Sequence, residues 1–330
     1  MNLKTKKSDE LNLELSIEVA AADYAEAEKK KLNERRRTAE FKGFRKGMVP
    51  ASLIKKVYGD QCLADAVNEV LGEQLQKYIE DNKLNILGEP LSSANQPEVS
   101  WVSGEDFTFV FDIALSPEIN VDVVKEDTVN QYTVTLSAAE KKSMIDNLKK
   151  YYEEKKEEKS EEEIEKEVTD RMTEQYKQEA EWKVGADIRK FYVEKSGIKL
   201  PEDFLKRWLV YANQGKVDAE QVEKEFPGFV EDFKWQLVRG FLFKKFDFKI
   251  EQKDITDAAE SYVKYQYAMY GLPEVPADMM KEAVNNILGD RRQVENLVER
   301  IEDEKVLGKI RETITLKAKK ITSEKFRELK

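Results

Sequence analysis

The sequence contains no histidine and a single cysteine, Cys62, among its 330 residues. Without histidine, the chain cannot build a Ser-His-Asp triad, a Cys-His pair or an imidazole that transfers protons near neutral pH. One cysteine excludes an intramolecular disulfide, a cysteine-rich zinc site and an iron–sulfur cluster held by thiolates. We therefore expect Cys62 to be a small buried core residue rather than a nucleophile.

Two ligand-binding signatures are also missing from the chain. Without histidine and with one cysteine, a metal ion would be held by carboxylates and carbonyl oxygens, yet no DxDxDG calcium loop occurs. No GxxxxGK[ST] loop occurs either, so the sequence does not predict an ATP site. Paired carboxylates are frequent, but no pair stands out by its spacing as a catalytic couple. We predict no cofactor, no metal site and no catalytic residues.

Glycine and proline are scarce, with 14 and 8 residues, which favours helices over turn-rich β structure. The hydrophobic share of 40% is enough for packed cores, and the charged share of 37% is well above the usual quarter. The length predicts two or three domains. The chain has no run of 18 apolar residues and no apolar stretch near its start. We therefore expect a soluble, cytoplasmic protein.

The first 118 residues carry the patterns of an α+β domain. Apolar and polar residues alternate from Leu11 to Val19, and a similar alternation runs from Phe107 to Leu115. This period of two predicts two half-buried strands that are antiparallel partners in one small sheet. Residues 21–40 and 60–82 between them carry patterns typical of helices. We predict a small antiparallel sheet packed with helices over residues 1–118.

The rest of the chain predicts an extended linker over residues 119–133 and an elongated all-α domain with helical arms over residues 134–330. Gly104 and Gly185 bracket 80 residues without glycine. Within that stretch, residues 153–167 contain one apolar residue, Ile164. This composition is typical of a solvated helix or a charged connector, and an acidic docking tail is the alternative.

Positive charge is concentrated in one short element. Residues 29–46 hold nine basic and two acidic side chains, a net charge of +7, so the other 312 residues sum to −17. A basic element on an acidic protein is typical of docking to a polyanion. A solvated basic helix face is the other interpretation. Within this element, the candidate auxiliary basic residues for such docking are Arg35, Arg36, Arg37 and Lys42.

The basic element ends in a short predicted loop between two helices. The loop reads Gly43-Phe44-Arg45-Lys46-Gly47-Met48-Val49-Pro50, and Pro50 is well placed to open the second helix. Its two glycines allow tight turns. An exposed aromatic such as Phe44 at a loop tip is uncommon without a partner, and the cations beside it suit a mixed surface of RNA phosphate and protein.

At this loop the sequence resembles trigger factor, the family of bacterial ribosome-associated chaperones. The segment GFRKGMVP matches the GFRxGxxP signature of that family. Tyr58-Gly59, Asp65, Gly88, Pro90 and the Phe107–Pro117 stretch follow in family order. The helical remainder fits more loosely, mainly through Ile198–Pro201 and Ile321–Phe326.

The resemblance implies docking at the polypeptide exit of the large ribosomal subunit, on a ribosomal protein and neighbouring rRNA. The family's motif carries this role to Gly43, Phe44, Arg45, Lys46, Gly47 and Pro50. The resemblance further implies a helical body with two arms that form an open cradle for nascent or unfolded chains. A weak homodimer away from the ribosome is implied as well, and neither a membrane nor DNA is an expected partner.

One departure from the family bears on catalysis. Many trigger factors carry a peptidyl-prolyl isomerase domain of the FK506-binding type, which is rich in glycine. Its insertion point corresponds to residues 150–185, which are rich in Glu and Lys and contain no glycine before Gly185. We therefore expect that domain to be absent, a continuous helix to run through the site, and the protein not to be an enzyme.

Two aromatic clusters in the helical region are candidates for core or for client contact. Residues 226–248 contain eight aromatics, including a helical stripe that we interpret mainly as core. The second cluster is rich in Tyr and Met, which are apolar and adaptable. Here core packing and client contact are both open interpretations. The candidate client-binding residues are Tyr262, Tyr265, Tyr267, Met269, Met279 and Met280.

Taken together, we predict an ATP-independent chaperone that docks at the ribosomal exit tunnel and holds nascent or unfolded chains. Alternatives are a peptidyl-prolyl isomerase, a ribosome-binding factor without client activity, and a periplasmic chaperone with a related helical body. The last requires a signal peptide, which the sequence does not show.

Overall fold

The computed structural model describes residues 1–155, 158–214, 216–272 and 274–329. In chain order the elements are β1 (Asn2–Lys7), β2 (Asn12–Val19), α1 (Ala21–Thr38), α2 (Ala51–Asp81), β3 (Leu91–Ser92), β4 (Phe107–Ala114), β5 (Thr128–Thr135), α3 (Ala138–Lys155), α4 (Glu161–Ser196), α5 (Glu202–Ala212), α6 (Ala219–Lys245), α7 (Gln252–Met269), α8 (Ala277–Gly289), α9 (Arg291–Thr313), β6 (Thr315–Thr322) and α10 (Ser323–Arg327). Within these described ranges, no helix is long and apolar enough to cross a membrane.

The chain divides into two compact units. The first unit comprises residues 1–118 and 199–229, and the second comprises residues 119–198 and the residues from 230 onward. The first boundary, at residue 118, coincides with the end of the predicted N-terminal domain. Residues 199–229 differ from the prediction, which placed them in the helical domain.

The sheet of the first unit confirms the predicted antiparallel pair. Strand β2 pairs antiparallel with β4, with Leu15 opposite Phe111, in a four-stranded sheet of order β1-β2-β4-β3. Leu13, Leu15, Ile17 and Val19 are buried, as the alternation predicts. Strands β1 and β3 were not predicted, because β1 is a polar edge strand exposed at every position and β3 has two residues.

Two helices cover one face of this sheet. Helix α1 has Asp23 in its first turn and arginines in its last, the polarity that the helix dipole favours. Helix α2 begins directly after Pro50, as predicted, although at Ala51 rather than at residue 60. Leu63 and Val67 of α2 pack with Tyr24 against the buried strand residues. The predicted α+β architecture is therefore confirmed.

Helix α5 packs on the N-terminal residues through two contacts that sequence patterns do not show. Gly88 has a positive φ of +72°, and a Cβ built there would lie 2.7 Å from Trp208 Nε1. Arg207 Nη1 donates to Asp112 Oδ2 at 2.6 Å. These contacts explain why residues 199–229 belong to the first unit.

The second unit is mostly helical but contains a two-stranded parallel sheet, which corrects the prediction of an all-α domain. Strand β5 pairs with β6, with Thr128 opposite Thr315. The second half of the predicted extended linker is therefore a strand of the packed unit. The partners are far apart along the chain, as parallel pairing requires, so no local pattern links them.

The predicted continuous helix through residues 150–185 is interrupted. Helix α3 ends at Lys155 and α4 begins at Glu161, where the side chain of Ser160 accepts a hydrogen bond from the Glu163 backbone in a capping box. Lys156 and Glu157 of the predicted charged segment lie outside the described residues. Ile164, the one apolar residue of that segment, is buried.

The core of the second unit contains residues from both halves of its chain. Val184, Ile188 and Tyr192 of α4 pack with Trp235, Val238 and Leu242 of α6 and Val306 and Ile310 of α9. This packing confirms the core interpretation for the second part of the 226–248 cluster. In the first unit, Phe226 is buried as well.

A buried ionic group ties the start of the second unit to α4. Asp127 accepts hydrogen bonds from Lys195 Nζ at 2.6 Å and from Tyr192 Oη at 2.8 Å. Burial by itself raises the pKa of Asp127, but the hydrogen bonds from Lys195 and Tyr192 outweigh it, so the pKa lies below its usual value. The pKa of Tyr192 is raised by burial and by the neighbouring carboxylate.

Candidate functional site

The basic loop is formed by two successive tight turns. The Phe44 backbone N–H donates to the Phe41 carbonyl at 3.1 Å, and the Met48 N–H donates to the Arg45 carbonyl at 2.9 Å. The third residue of each turn is glycine, Gly43 with φ +91° and Gly47 with φ +83°. Residues other than glycine rarely adopt such angles, so each turn favours glycine at its third position. The four-residue spacing of Gly43 and Gly47 therefore follows from the two successive turns.

The loop is anchored on both sides by a small apolar cluster. Val49, immediately after the second turn, is fully buried and packs with Ala39 and Ile54. The Phe41 ring meets the Tyr58 ring edge-on at 6.1 Å between centroids. Arg36 Nε donates to the Val49 carbonyl at 2.8 Å. The turns are therefore held against α1 and α2.

The residues between the anchors project into solvent. Phe44 is 44% exposed, and both Arg45 and Lys46 are exposed. Lys46 has an exposed ion pair with Glu40 at 3.7 Å, a contact that contributes little in water. Met48 is 68% exposed and was not among the predicted site residues. Met48 occupies a variable position of the GFRxGxxP signature, and nothing in the sequence distinguished an exposed apolar residue there from a core residue.

The four auxiliary basic residues fall into two groups. Arg35 lies over the Tyr58 ring, 5.5 Å from its centroid, and Arg36 holds the Val49 carbonyl, so both support the loop. Arg37 and Lys42 are exposed. The structure thus brings Arg37 and Lys42 to the surface with the loop cations and gives Arg35 and Arg36 a positioning role.

The candidate client-binding residues also divide into two groups. Tyr262, Tyr267 and Met280 pack against the buried cluster formed by α7, α8 and α9. Tyr265, Met269 and Met279 are exposed by 63%, 71% and 46%. Tyr270 and Leu272, in the turn between α7 and α8, are exposed by 86% and 54% and were not in the predicted set. We call these five exposed residues the α7–α8 apolar surface.

Two features that catalysis could use, a metal site and a reactive cysteine, find no support among the described residues. No group of three or more Cys, Asp and Glu side chains there could hold a metal ion. Cys62 is buried, and burial raises the pKa of its thiol, so the reactive thiolate is disfavoured. Cys62 is therefore a core residue, as predicted. The basic loop and the α7–α8 apolar surface both present exposed side chains that a partner could contact.

The comparisons with known proteins agree with this fold. Residues 1–148 match the family model described as "Bacterial trigger factor protein (TF)", and residues 180–330 match "Probable trigger factor, C-terminal domain". Trigger factor of Francisella tularensis subsp. holarctica (strain LVS) is 31% identical over 152 residues, 46% of this chain and 34% of that protein. Trigger factor of Tolumonas auensis is 30% identical over 152 residues, again 46% and 34%. These alignments span about a third of each relative's length.

A solved structure described as "Promiscuous Substrate Recognition in Folding and Assembly Activities of the Trigger Factor Chaperone" shares the fold. Its TM-score is 0.57 at 12% identity, covering 94% of this chain and 99% of that chain. The fold is therefore an α+β N-terminal unit with a mostly helical region. The two family models, which together match residues 1–148 and 180–330, show that the chain belongs to the trigger factor family.

Proposed function

We propose that this protein is an ATP-independent chaperone of the cytoplasm that docks at the ribosomal tunnel exit and holds unfolded or nascent chains. Docking uses Phe44, Arg45 and Lys46, and holding uses the α7–α8 apolar surface. In this proposal both functions are binding functions that form and break no covalent bonds, so the protein is not an enzyme and needs no cofactor.

The geometry of the basic loop carries the docking proposal. Two glycine turns and a buried Val49 place Phe44 and two cations in solvent, where they contribute little to the first unit's own packing. Cations beside an aromatic suit a surface of RNA phosphate and protein, because phosphates attract the charges and the ring buries apolar area. The other 312 residues carry a net charge of −17 and are repelled from RNA, which favours attachment through the basic element at residues 29–46.

The α7–α8 apolar surface supports the holding proposal. Its residues are Tyr, Met and Leu, whose apolar side chains adapt to many sequences. A client side chain that is fully buried contributes roughly 1.5–3 kcal/mol, so a few partial contacts give weak, reversible binding. Reversible binding is what a holding chaperone requires, since clients must leave to fold.

The docking proposal is tested by pelleting ribosomes over a salt series. The variant Phe44→Ala/Arg45→Ala/Lys46→Ala should lose co-sedimentation by more than about tenfold while circular dichroism remains that of the wild type, because none of the three residues is buried. A matched control is Lys4→Ala/Lys6→Ala, which removes two exposed charges from β1. Wild-type pelleting by the loop variant would reject the docking site.

The holding proposal is tested by suppression of aggregation of a denatured model protein. Tyr265→Ser/Met269→Ser/Met279→Ser should reduce suppression several-fold, because it removes exposed apolar area without touching the core. Tyr211→Ser is the matched control, since Tyr211 is 63% exposed like Tyr265. Equal suppression by the triple variant would reject this surface.

A prolyl isomerisation assay on the same protein should show no activity, and clear activity would overturn the non-enzymatic assignment.

A further inference from the structure

Strand β6 carries a second concentration of positive charge, far along the chain from the basic loop. Its eight residues, Thr315–Thr322, include three lysines and no acidic residue, a net charge of +3 in a chain whose total is −10. Lys317, Lys319 and Lys320 are exposed, and they join no ion pair among the residues that the structure describes. Lys319 Nζ lies 5.8 Å from the centroid of the Tyr132 ring.

Strand β6 also has a free edge. The Thr315 backbone N–H donates to the Asp127 carbonyl at 2.9 Å, so the backbone groups of Thr315 face β5. Successive residues of a strand direct their N–H and C=O groups to opposite edges. The residues whose backbone groups face away from β5 therefore include Leu316, Ala318 and Lys320. Within the described part of the chain, the β5–β6 sheet has two strands, so no further strand pairs with this edge.

Core packing holds β6 on both sides of its exposed middle. Leu316 packs against the core formed by α4, α6 and α9, and Ile321 packs against the cluster that contains Phe326. Between these anchors, Ala318 and Lys320 are exposed. The edge therefore has a fixed shape before a partner arrives, which lowers the ordering cost of binding.

We propose that β6 binds an extended acidic polypeptide segment, which adds to the sheet as a third strand with its carboxylates beside the lysines. The free N–H and C=O groups pair with an extended backbone, and the lysines select acidic side chains. Lysine on an edge strand also discourages pairing with the same edge of a second copy, because like charges would meet. That the acidic segment belongs to a held client rests on the proposed function.

The free backbone edge favours polypeptide over RNA as the partner. Lysines alone would attract phosphates and carboxylates alike. A strand edge, however, presents N–H and C=O groups from every second residue, and an extended peptide repeats the complementary groups at the same spacing. Strand β6 itself contains no aromatic residue on which an RNA base could stack. Both features fit an acidic peptide.

The test measures fluorescence anisotropy of two labelled peptides, (Glu-Thr)4 and (Lys-Thr)4, at about 50 mM salt. Neither peptide has a large apolar side chain, so the α7–α8 apolar surface should contribute little. The wild type should bind (Glu-Thr)4 about tenfold more tightly, since several exposed charge pairs each contribute a little. Lys317→Glu/Lys320→Glu should abolish this preference. The matched control, Lys142→Glu/Lys150→Glu on exposed positions of α3, changes the net charge equally and should keep it.

A second pair of variants separates backbone pairing from attraction between charges. Ala318→Pro removes an N–H group that faces away from β5, a position where an edge strand tolerates proline. It should weaken (Glu-Thr)4 binding about fivefold, because the partner strand loses a hydrogen bond. Ala318→Val keeps the N–H group and should bind within about twofold of the wild type. Circular dichroism should match the wild type for both variants.

Four results would overturn the proposal: equal binding of the two peptides, a preference that survives Lys317→Glu/Lys320→Glu, equal affinities of Ala318→Pro and Ala318→Val, or tighter binding of labelled r(U)8 than of (Glu-Thr)4. The lysine variant remains informative if Ala318→Pro does not fold. Failure of the proposed function is read separately, from aggregation suppression by the Tyr265/Met269/Met279 variant. Equal peptide binding with that suppression assay behaving as expected would reject the β6 site and leave client holding in place.

Discussion

The basic loop and the α7–α8 apolar surface differ in which part of the chain presents the binding groups: a constrained backbone in the loop, and exposed side chains on the helices. The loop has two glycines at positive φ and a buried anchor, Val49, so its backbone conformation is determined by local constraints. In the α7–α8 apolar surface the exposed atoms belong to side chains such as Met269 and Tyr270, which are 71% and 86% exposed and are not fixed by core packing. A fixed backbone suits one partner of defined shape, and free side chains suit many partners.

The largest expected effect is on ribosome binding, and it comes from replacing glycines in the loop. The same replacement beside the α7–α8 apolar surface should have little effect on client holding. Gly43→Val/Gly47→Val should weaken ribosome pelleting up to roughly a hundredfold, because a β-branched residue at positive φ costs about 1–2 kcal/mol per site and the turns would reorganise. Gly271 also has a positive φ, +77°, in the turn after α7. Gly271→Val should change aggregation suppression less than twofold. Equal sensitivity in both assays would contradict the comparison.

The second effect concerns stability of the unit that carries the α7–α8 apolar surface. Asp127→Asn should lower the free energy of unfolding of the second unit by about 2 kcal/mol at pH 7, because Lys195 loses its buried partner. The folded pKa of Asp127 is below its unfolded value, so its contribution is present above about pH 4 and is lost as pH falls through the folded pKa.

Denaturant titrations at pH 7 and pH 3 check this assignment. The difference between wild type and Asp127→Asn should shrink at pH 3, and Trp235 and Trp182 report the second unit while Trp101 and Trp208 report the first. A matched control is Asp112→Asn, which removes a half-exposed ion pair in the first unit. A constant difference at both pH values would show that the Asp127 carboxylate charge is not the cause.

The third effect is the response to salt. Ribosome affinity should fall about tenfold between 50 and 200 mM salt, because two loop cations replace counterions at phosphates. Aggregation suppression should be unchanged or slightly stronger over the same range, since apolar burial is not screened. Both assays can be run on one preparation. Parallel losses would mean that client holding also depends on charge.

The smallest expected effect tests adaptability directly. Tyr265→Phe and Met269→Leu keep the apolar area of the α7–α8 apolar surface, so aggregation suppression should change less than twofold. The equivalent conservative change in the loop, Arg45→Lys, should weaken pelleting more, because lysine cannot replace the forked contacts of arginine. A larger effect at Tyr265 than at Arg45 would reverse the comparison.

Much of the first unit could be predicted because its signals are local. The alternation from Leu11 to Val19 predicted a strand with one buried face, and β2 has that face. The position of Pro50 predicted the start of α2, and the loop glycines lie at the two positive-φ positions. Each inference depended on residues within one element, where side-chain period and backbone preference act directly.

The missed features depend on partners distant in sequence. Strand β6 is rich in lysine and becomes a strand by pairing with β5. Helix α5 joins the first unit because Trp208 packs on Gly88. Among the candidate client residues, Tyr265 and Tyr267 have the same chemistry and neighbouring positions. Only the packing of α7 against α8 and α9 partly buries Tyr267 and leaves Tyr265 exposed.

The sequence by itself determined the charge split, the absence of imidazole groups and of any disulfide within the chain, and the turns of the basic loop, since composition and local backbone preference need no tertiary context. The tertiary structure decided which side chains reach solvent and which support others. Arg35 and Arg36 became supports rather than contacts, and Glu28, on a helix surface in the sequence pattern, became a buried carboxylate that accepts a hydrogen bond from Ser103. Burial and pairing are properties of neighbours in space, and those neighbours are set only when the elements pack.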